Sequence, residues 1–485
     1  MNAQARILEW PGLPADDDAL ALWDAIAIAR AVKGTANADF LVSGVEIDSR
    51  EVVPGDLFFA LKGEATDGHL FVENAYKAGA SAVVVDRPVD GPHVLVNDTT
   101  AALEALGAAA RERTRARILG VTGSVGKTSV KEALYATLDR SSRGAAHRSL
   151  KSYNNHVGVP LSLSRMPARS RFGIFEMGMN HAGEIAGLTV QARPHIAVIT
   201  AIAPAHIEML GSEEAIADAK AEIFDGLEEG GTAVIPADSP HFERLRDAAL
   251  KHTETVVAFG RSDHADVRLL DAVPAIGGGS LVTADLGDRR ICYTVAAPGD
   301  HWVTNSLAVM AAVRAARGDL AAAGLALAEM QGLAGRGARI VIAAEGGDAL
   351  LIDESYNANP ASMEATLAQL GQTAAGRRIA VLGAMKELGS HGPELHAALA
   401  EPMRKAGLDH AILVGEEMAA LAEELGKAAG ASLGKSLSFA HCANVEEAAN
   451  ALRTFGLERD DAVLIKGSNS VGLASLVAAL SRQES

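Results

Sequence analysis

Apolar residues along this chain fall into two alternating patterns. Short unbroken apolar runs, as strands buried in a sheet show, are followed by stretches in which apolar positions recur every three or four residues, as on one helix face. In the first part, 18–31 reads as a helix, and 42–50, 57–61 and 82–85 read as strands. The helical stretch 71–78 ends at Gly79, a residue suited to a left-handed helix end. Pro88 and Asp90-Gly91-Pro92 break the pattern, and Thr99 or Thr100 caps a helix running to about Arg113, so a first domain is placed at 1–98.

The second part, 99–334, alternates strands and helices as a mostly parallel sheet with helices on both faces does. Strands are expected at 172–177, 196–202 and 232–236, with a helix over 213–227. Between 265 and 298 short runs separated by Gly277-Gly278-Gly279 and Gly287-Asp288 predict antiparallel hairpins appended to that sheet, before an alanine-rich helix starts near His301. The third part, 335–485, repeats the alternation through strands at 349–353, 378–382, 411–414 and 462–465, giving a Rossmann-like last domain. The fold class is therefore α/β, in three domains.

One stretch carries recognisable chemistry. The apolar run from Arg117 leads into Gly123-Ser124-Val125-Gly126-Lys127-Thr128-Ser129 and then into a helical pattern. Glycines in such a turn let backbone N–H groups face phosphate oxygens, the lysine adds a charge, and the threonine hydroxyl suits Mg²⁺. The helix that follows points the positive end of its dipole at the same phosphates. The general phosphate-loop rule expects a glycine at Val121; Gly120 lies one place early. ATP and Mg²⁺ are the expected ligands. Glu176 closes a strand at its carboxyl end, the edge where parallel sheets bind ligands, and His206 follows the next strand. Lys220 lies on the helix after it, where a solvated lysine would read the same way.

Composition narrows the partners. The 485 residues hold 48% apolar positions, ample for several cores, and 61 Asp and Glu against 44 Lys and Arg leave a net charge of −17. So acidic a surface opposes loose binding to nucleic acid. Cys292 and Cys442 show no metal spacing, and neither a signal peptide nor a membrane span is evident, so a cytoplasmic protein is expected.

Further motifs resemble those of the Mur ligases. The loop itself is similar to the nucleotide loop of that family, Val121 included. Asp48-Ser49-Arg50, Pro54-Gly55-Asp56-Leu57-Phe58-Phe59-Ala60-Leu61-Lys62-Gly63 and Asp67-Gly68-His69 resemble its UDP-binding first domain. Asn154-Asn155-His156-Val157-Gly158, Glu176-Met177-Gly178-Met179-Asn180, Tyr356-Asn357-Ala358-Asn359-Pro360, Gly383-Ala384-Met385-Lys386-Glu387-Leu388-Gly389 and Lys466-Gly467-Ser468 resemble the branch whose substrates are UDP-N-acetylmuramoyl-tripeptide and D-alanyl-D-alanine. The Asp-Asn-Pro-Arg signature of the branch that adds the third peptide residue is absent.

The resemblance implies an ATP-dependent ligase working through an acyl phosphate, as a monomer. It implies that Thr128, Glu176, His206 and a carbamylated Lys220 serve Mg²⁺, and that Lys127 and Arg336 meet the phosphates. Asn305, Glu354, Tyr356 and Asn357 would hold the nucleotide, and Ser49, Arg50, Asn154, Asn155 and Lys466 the UDP substrate. Four positions depart from the family: Trp302 for an asparagine facing the adenine, where stacking is the expected substitute, Glu354 for an aspartate, Ala384 for an aspartate and Asn469 for an arginine. A folylpolyglutamate synthase shares the loop but not the UDP motifs. A phosphate-loop kinase or nucleotide-gated binding protein would bind ATP with no dependence on the dipeptide.

Overall fold

The computed structural model describes residues 21–63, 66–204, 207–275, 278–330, 332–429 and 437–482. By contacts the chain divides into two compact units, one holding residues up to Thr114 together with Pro160–Ala168, the other holding Arg115–Val159 and the chain from Arg169 onward.

In the first unit a five-stranded sheet runs, edge to edge, through Thr35–Ala36, His93–Leu95, Ala82–Val85, Asp56–Phe59 and Gly44–Glu46. All neighbours but the first pair are parallel. The central strands are buried on both faces, which is why they read as unbroken apolar runs. The expected 42–50 strand is two pieces that pair in different sheets, Leu41–Val42 with Trp23–Asp24 and Gly44–Glu46 with Asp56–Phe59, and the second stops where the Glu46 carboxylate accepts from the amides of Ile47 and Asp48. Helix Val72–Ala78 ends at Gly79 with φ 106°, as its sequence required.

Two helix starts differ from the sequence expectation. The first helix is Ala25–Ala31, not 18–31: Asp24 caps it by accepting from Ala27 N at 2.7 Å, and 18–20 lie outside the described residues. The helix Thr99–Arg113 is capped by neither threonine. Asp98 accepts from the amides of Thr100 and Ala101, while the buried Thr99 hydroxyl donates to Ala60 O. A carboxylate beside the positive helix end is the stronger cap, and Thr99 is drawn inward by the sheet. The segment Pro160–Ala168 joins this unit through Trp23 Nε1, which donates to Ser164 O, and through Arg165, which donates to Val45 O and the Glu46 carboxylate.

The second unit contains two sheets. The nine-stranded one runs Arg290–Val295, Ser280–Asp285, Val267–Pro274, Thr255–Gly260, Thr232–Pro236, Ile196–Ile199, Arg117–Thr122, Phe172–Glu176, Ala146–Arg148. It is parallel from the last strand to Val267–Pro274 and antiparallel beyond, the appended hairpins that the glycine turns indicated. Arg117–Thr122 sits where the strand order changes direction, so a crevice opens at its carboxyl end. Helix Asp300–Ala315 is buried along most of its length in the core of Leu119, Val121, Leu134 and Val198. The expected helix 213–227 stops at Ala221 and tightens into a 3₁₀ turn, Glu222–Phe224.

The six-stranded sheet runs Ala338–Ala344, Gly347–Glu354, Ala462–Lys466, Arg378–Gly383, His410–Val414, Ser438–Cys442, with only the first pair antiparallel. Helix Pro360–Gln372 begins in a reciprocal capping box between Asn359 and Ser362. Replacing the Asp98 cap, Asp98→Ala, should lower the urea unfolding free energy by about 1 kcal/mol. Thr100→Ala at the neighbouring, half-buried position, whose hydroxyl is not the cap, should change it much less.

Candidate active site

Strand register sets the geometry. Glu176 pairs opposite Val121, and Ile199 opposite Thr122, so the carboxylate and the phosphate loop emerge side by side from the same sheet edge. Glycine is required at both loop turns. Gly123 and Gly126 have φ of 142° and 86°; a side chain on Gly123 would collide with Thr200 Oγ1, and a Cβ on Gly126 would lie 2.9 Å from Asn305 Oδ1. The Ser124 hydroxyl is tied to Ala203, donating to its carbonyl and accepting from its amide. Helix Lys127–Ser142 starts directly after the loop.

Glu176 is 1% exposed. Thr128 Oγ1 donates to its Oε2 at 2.7 Å, Asn154 Nδ2 donates to its Oε1 at 2.8 Å, and Lys131 Nζ stands 3.9 Å from Oε2. Thr128 and Glu176 are hard oxygen donors. Among the described residues no group of three or more His, Cys, Asp or Glu side chains could hold a metal. That donor set fits Mg²⁺, which takes one or two protein oxygens and completes its shell with water and bound phosphate.

Opposite the loop stands the carboxyl edge of the second sheet. Glu354 and Lys466 are register partners on neighbouring strands, with Lys466 Nζ 3.6 Å from the Glu354 carboxylate and donating to Asn357 O at 2.9 Å. Burial pushes the Glu354 carboxyl up and the Lys466 ammonium down, each opposed by the charge of the other. Arg336 stacks 4.0 Å over the Tyr356 ring and donates to Ser152 Oγ. Burial, reinforced by Arg336 and opposed by Glu176, lowers the Lys127 ammonium, which donates to Gly123 O at 2.7 Å.

One cavity of about 430 Å³ collects most of the expected residues. Ser124, Val125, Gly126, Lys127, Ser129, Asn154, Asn155, Glu176, Asn305, Arg336, Glu354, Tyr356, Asn357 and Lys466 all line it. Gly123 of the loop and Thr128 of the helix after it do not line it. The Asn155 side chain accepts from the amides of Val157 and Gly158, so its oxygen is spent on a local turn. Ser49 and Arg50 belong to the first unit, where Arg50 pairs with Asp48 at 2.6 Å. His206 lies outside the described residues. Lys220 is fully buried and does not line the cavity; its Nζ has no hydrogen-bond partner among the described residues, and burial, with Lys127 adding, holds its amine well below the ordinary lysine value.

Trp302 is 3% exposed and packed into the core, and it also lines the cavity. Ala384, where the family has aspartate, is fully buried against the Lys466 turn, its carbonyl accepting from Ser468 N. Asn469 opens a 3₁₀ turn, Asn469–Val471. Sequence reasoning missed Ser149, Ser152 and the role of Lys131. Their hydroxyl and ammonium groups reach the site across long chain separations, which no local pattern records.

A phosphate loop and a strand-end carboxylate facing the buried Lys466 of a second, mostly parallel sheet define a two-sheet nucleotide-dependent enzyme. Three family models match: "Mur ligase family, catalytic domain" over residues 41–91, "Mur ligase middle domain" over 121–313, and "Mur ligase, glutamate ligase domain" over 338–469. The chain belongs to the Mur ligase family. It is 36% identical over 461 residues to the UDP-N-acetylmuramoyl-tripeptide–D-alanyl-D-alanine ligase of Synechocystis, covering 91% of this chain and 92% of the relative. Among solved structures, MurF from Acinetobacter baumannii superposes with a TM-score of 0.80 at 29% identity, covering 95% of this chain and 98% of that one. MurF from Thermotoga maritima in complex with ADP gives 0.72 at 27%, covering 91% and 97%.

His301, another cavity residue, is held by burial and by Lys466 at a pKa of about 4 against an ordinary 6.5. Below 6.5 the unfolded chain binds this proton first, so the stability contributed by neutral His301 is complete above that pH and is lost as pH falls toward 4. Nitrogen NMR of histidine-labelled protein, assigned with His301→Gln, should show a neutral ring from pH 8 down to about 5. A midpoint at the ordinary value would contradict the desolvated site.

Proposed function

We infer that this chain is an ATP-dependent ligase that joins D-alanyl-D-alanine to UDP-N-acetylmuramoyl-tripeptide, forming ADP and phosphate in peptidoglycan precursor synthesis. The observation that carries this reading is the single cavity lined both by the phosphate loop with Glu176 and by Lys466, Glu354 and Tyr356 of the second sheet, in a chain matched over nearly its whole length by ligases of that name. A carboxylate does not react with an amine unaided, so the reaction needs activation before the bond forms.

The terminal carboxylate oxygen of the tripeptide attacks the γ-phosphorus of ATP and the bond to ADP breaks, giving an acyl phosphate. The amine of D-alanyl-D-alanine then attacks that carbonyl carbon, the nitrogen loses its proton, and phosphate leaves with the former carboxylate oxygen. The loop amides and Lys127 hold the phosphates, Arg336 meets the γ-phosphate, and Asn305, Glu354, Tyr356 and Asn357 orient the nucleotide. Thr128, Glu176 and His206 would hold Mg²⁺, which would supply positive charge where the transferred group becomes more negative. Asn154, Asn155 and Lys466 position the peptide end, and Ser49 and Arg50 the UDP end.

The Lys220 amine, without a hydrogen-bond partner among the described residues, fits the carbamylation that the family resemblance implies: as the free base it would add to CO₂, forming an N–C bond and releasing a proton, and the resulting anion would brace the metal side of the loop. We read the enzyme as a cytosolic monomer, with the free thiols of Cys292 and Cys442 suited to a reducing compartment. No described helix is long and apolar enough to cross a membrane.

ADP release from ATP and UDP-N-acetylmuramoyl-tripeptide should depend on added D-alanyl-D-alanine; release that ignores the dipeptide would sink the assignment. With carbon-13-labelled bicarbonate, NMR should show a carbamate resonance in the native protein that Lys220→Ala lacks, and this variant should lose about a hundredfold in turnover. Identical spectra would refute the modification.

A further inference from the structure

Lys131 is a lysine that the reaction, as outlined, does not use. It is fully buried, one helical turn beyond Lys127 on the loop helix. Burying an ammonium costs several kcal/mol unless its donors are met, and an apolar residue would fill the same space without that cost. All three donors are met here. Lys131 Nζ donates to Ser149 O at 3.0 Å and to Lys151 O at 2.8 Å, and pairs with Glu132 at 3.0 Å, whose other oxygen is held by Arg148 at 2.8 Å.

These contacts converge on one carboxylate. The backbone N–H of Glu176 donates to Ser149 Oγ at 3.2 Å, so the residue whose carbonyl Lys131 holds also fixes the Glu176 main chain. The Lys151 carbonyl anchors the segment that delivers Asn154, whose amide donates to Glu176 Oε1. The ammonium itself stands 3.9 Å from Glu176 Oε2, the oxygen that Thr128 contacts.

We propose that Lys131 is a positioning residue for the metal–nucleotide site, a fixed internal cation that sets the place of Glu176 directly and through Ser149 and the segment carrying Asn154. The proposal rests on the reading above that Glu176 serves Mg²⁺. A purely structural lysine would support the loop without changing how strongly Mg²⁺ couples to the nucleotide. A positioning lysine changes that coupling, and does so only while Glu176 is a carboxylate.

The test is calorimetric binding of a non-hydrolysable ATP analogue at graded Mg²⁺ concentrations, for the native chain, Lys131→Met, Lys131→Gln, Glu176→Gln and the double variant Lys131→Met with Glu176→Gln. Lys131→Met should raise the Mg²⁺ concentration for half-maximal binding by about tenfold, as loss of a residue supporting a ligand does. Metal-free analogue binding should change little. Lys131→Gln, which keeps a donor but not the charge, should fall between, and in the Glu176→Gln background Lys131→Met should have no further effect. In turnover assays kcat should drop while KM for D-alanyl-D-alanine holds.

An unchanged Mg²⁺ midpoint, or full additivity with Glu176→Gln, would overturn the proposal. So would loss of folding in both Lys131 variants, seen as a collapsed thermal midpoint without Mg²⁺, because the lysine would then be structural. If the native chain shows no dipeptide-dependent ADP release, the ligase reading fails, while analogue binding still reports on Lys131.

Discussion

A charged carboxylate buried at the end of an apolar strand is the constraint from which this site follows. Phe172–Glu176 is buried at every position, and Glu176, only 1% exposed at the cavity wall, must find its partners inside. It finds an amide on one oxygen and a hydroxyl on the other, with a buried ammonium beyond. The partners come from two pieces of chain: Asn154 from the segment after the edge strand, Thr128 and Lys131 from the loop helix. Satisfying one carboxylate therefore fixes the phosphate loop, the strand beside it and the connection between them in a common frame. Loss of any one partner would leave a buried charge under-satisfied, a change worth more than an ordinary surface contact.

The second sheet solves the same problem with the signs reversed. Lys466 ends an apolar strand and is 2% exposed, and its neighbour in register, Glu354, supplies the opposing charge. Because the Lys466 ammonium also donates to Asn357 O, the turn that carries Tyr356 is tied to the same pair. Glu354, one methylene longer than the family's aspartate, reaches that lysine across the strand pair. Both sheets thus place a buried charge at their carboxyl edges, where parallel strands leave room for a ligand.

Much of this was legible because charge and apolar runs are separate signals. A strand that is apolar throughout and then ends in Glu176 or Lys466 announces a buried charge at a known edge, and the glycines at 123 and 126 announce a backbone that only they adopt. What stayed hidden depends on approach between distant segments. Thr99 reads as a cap until the sheet takes its hydroxyl and leaves Asp98 to do the work. Lys131 carries no local signal of its burial, since nothing nearby in sequence says that Ser149 and Lys151 will close over it.

The cations around the cavity divide by what a ligand would have to displace. Lys131 and Lys466 are held against carboxylates in the interior, and charge-assisted contacts of that kind are worth roughly 1.5–3 kcal/mol each. Lys127 and Arg336 are held by neutral groups, a loop carbonyl for the first and a serine hydroxyl and tyrosine face for the second. Neutral hydrogen bonds contribute about 0.5–1.5 kcal/mol, which a polyphosphate exceeds easily. Burial already disfavours the charge on Lys127, so an arriving phosphate supplies what the site lacks instead of competing with what it has. Lys131 and Lys466 keep their places because their partners are anions, although Lys466 also lines the cavity, and Lys127 and Arg336 are free to exchange because theirs are not. That division lets one crevice be rigid toward its metal carboxylate and adaptable toward its nucleotide.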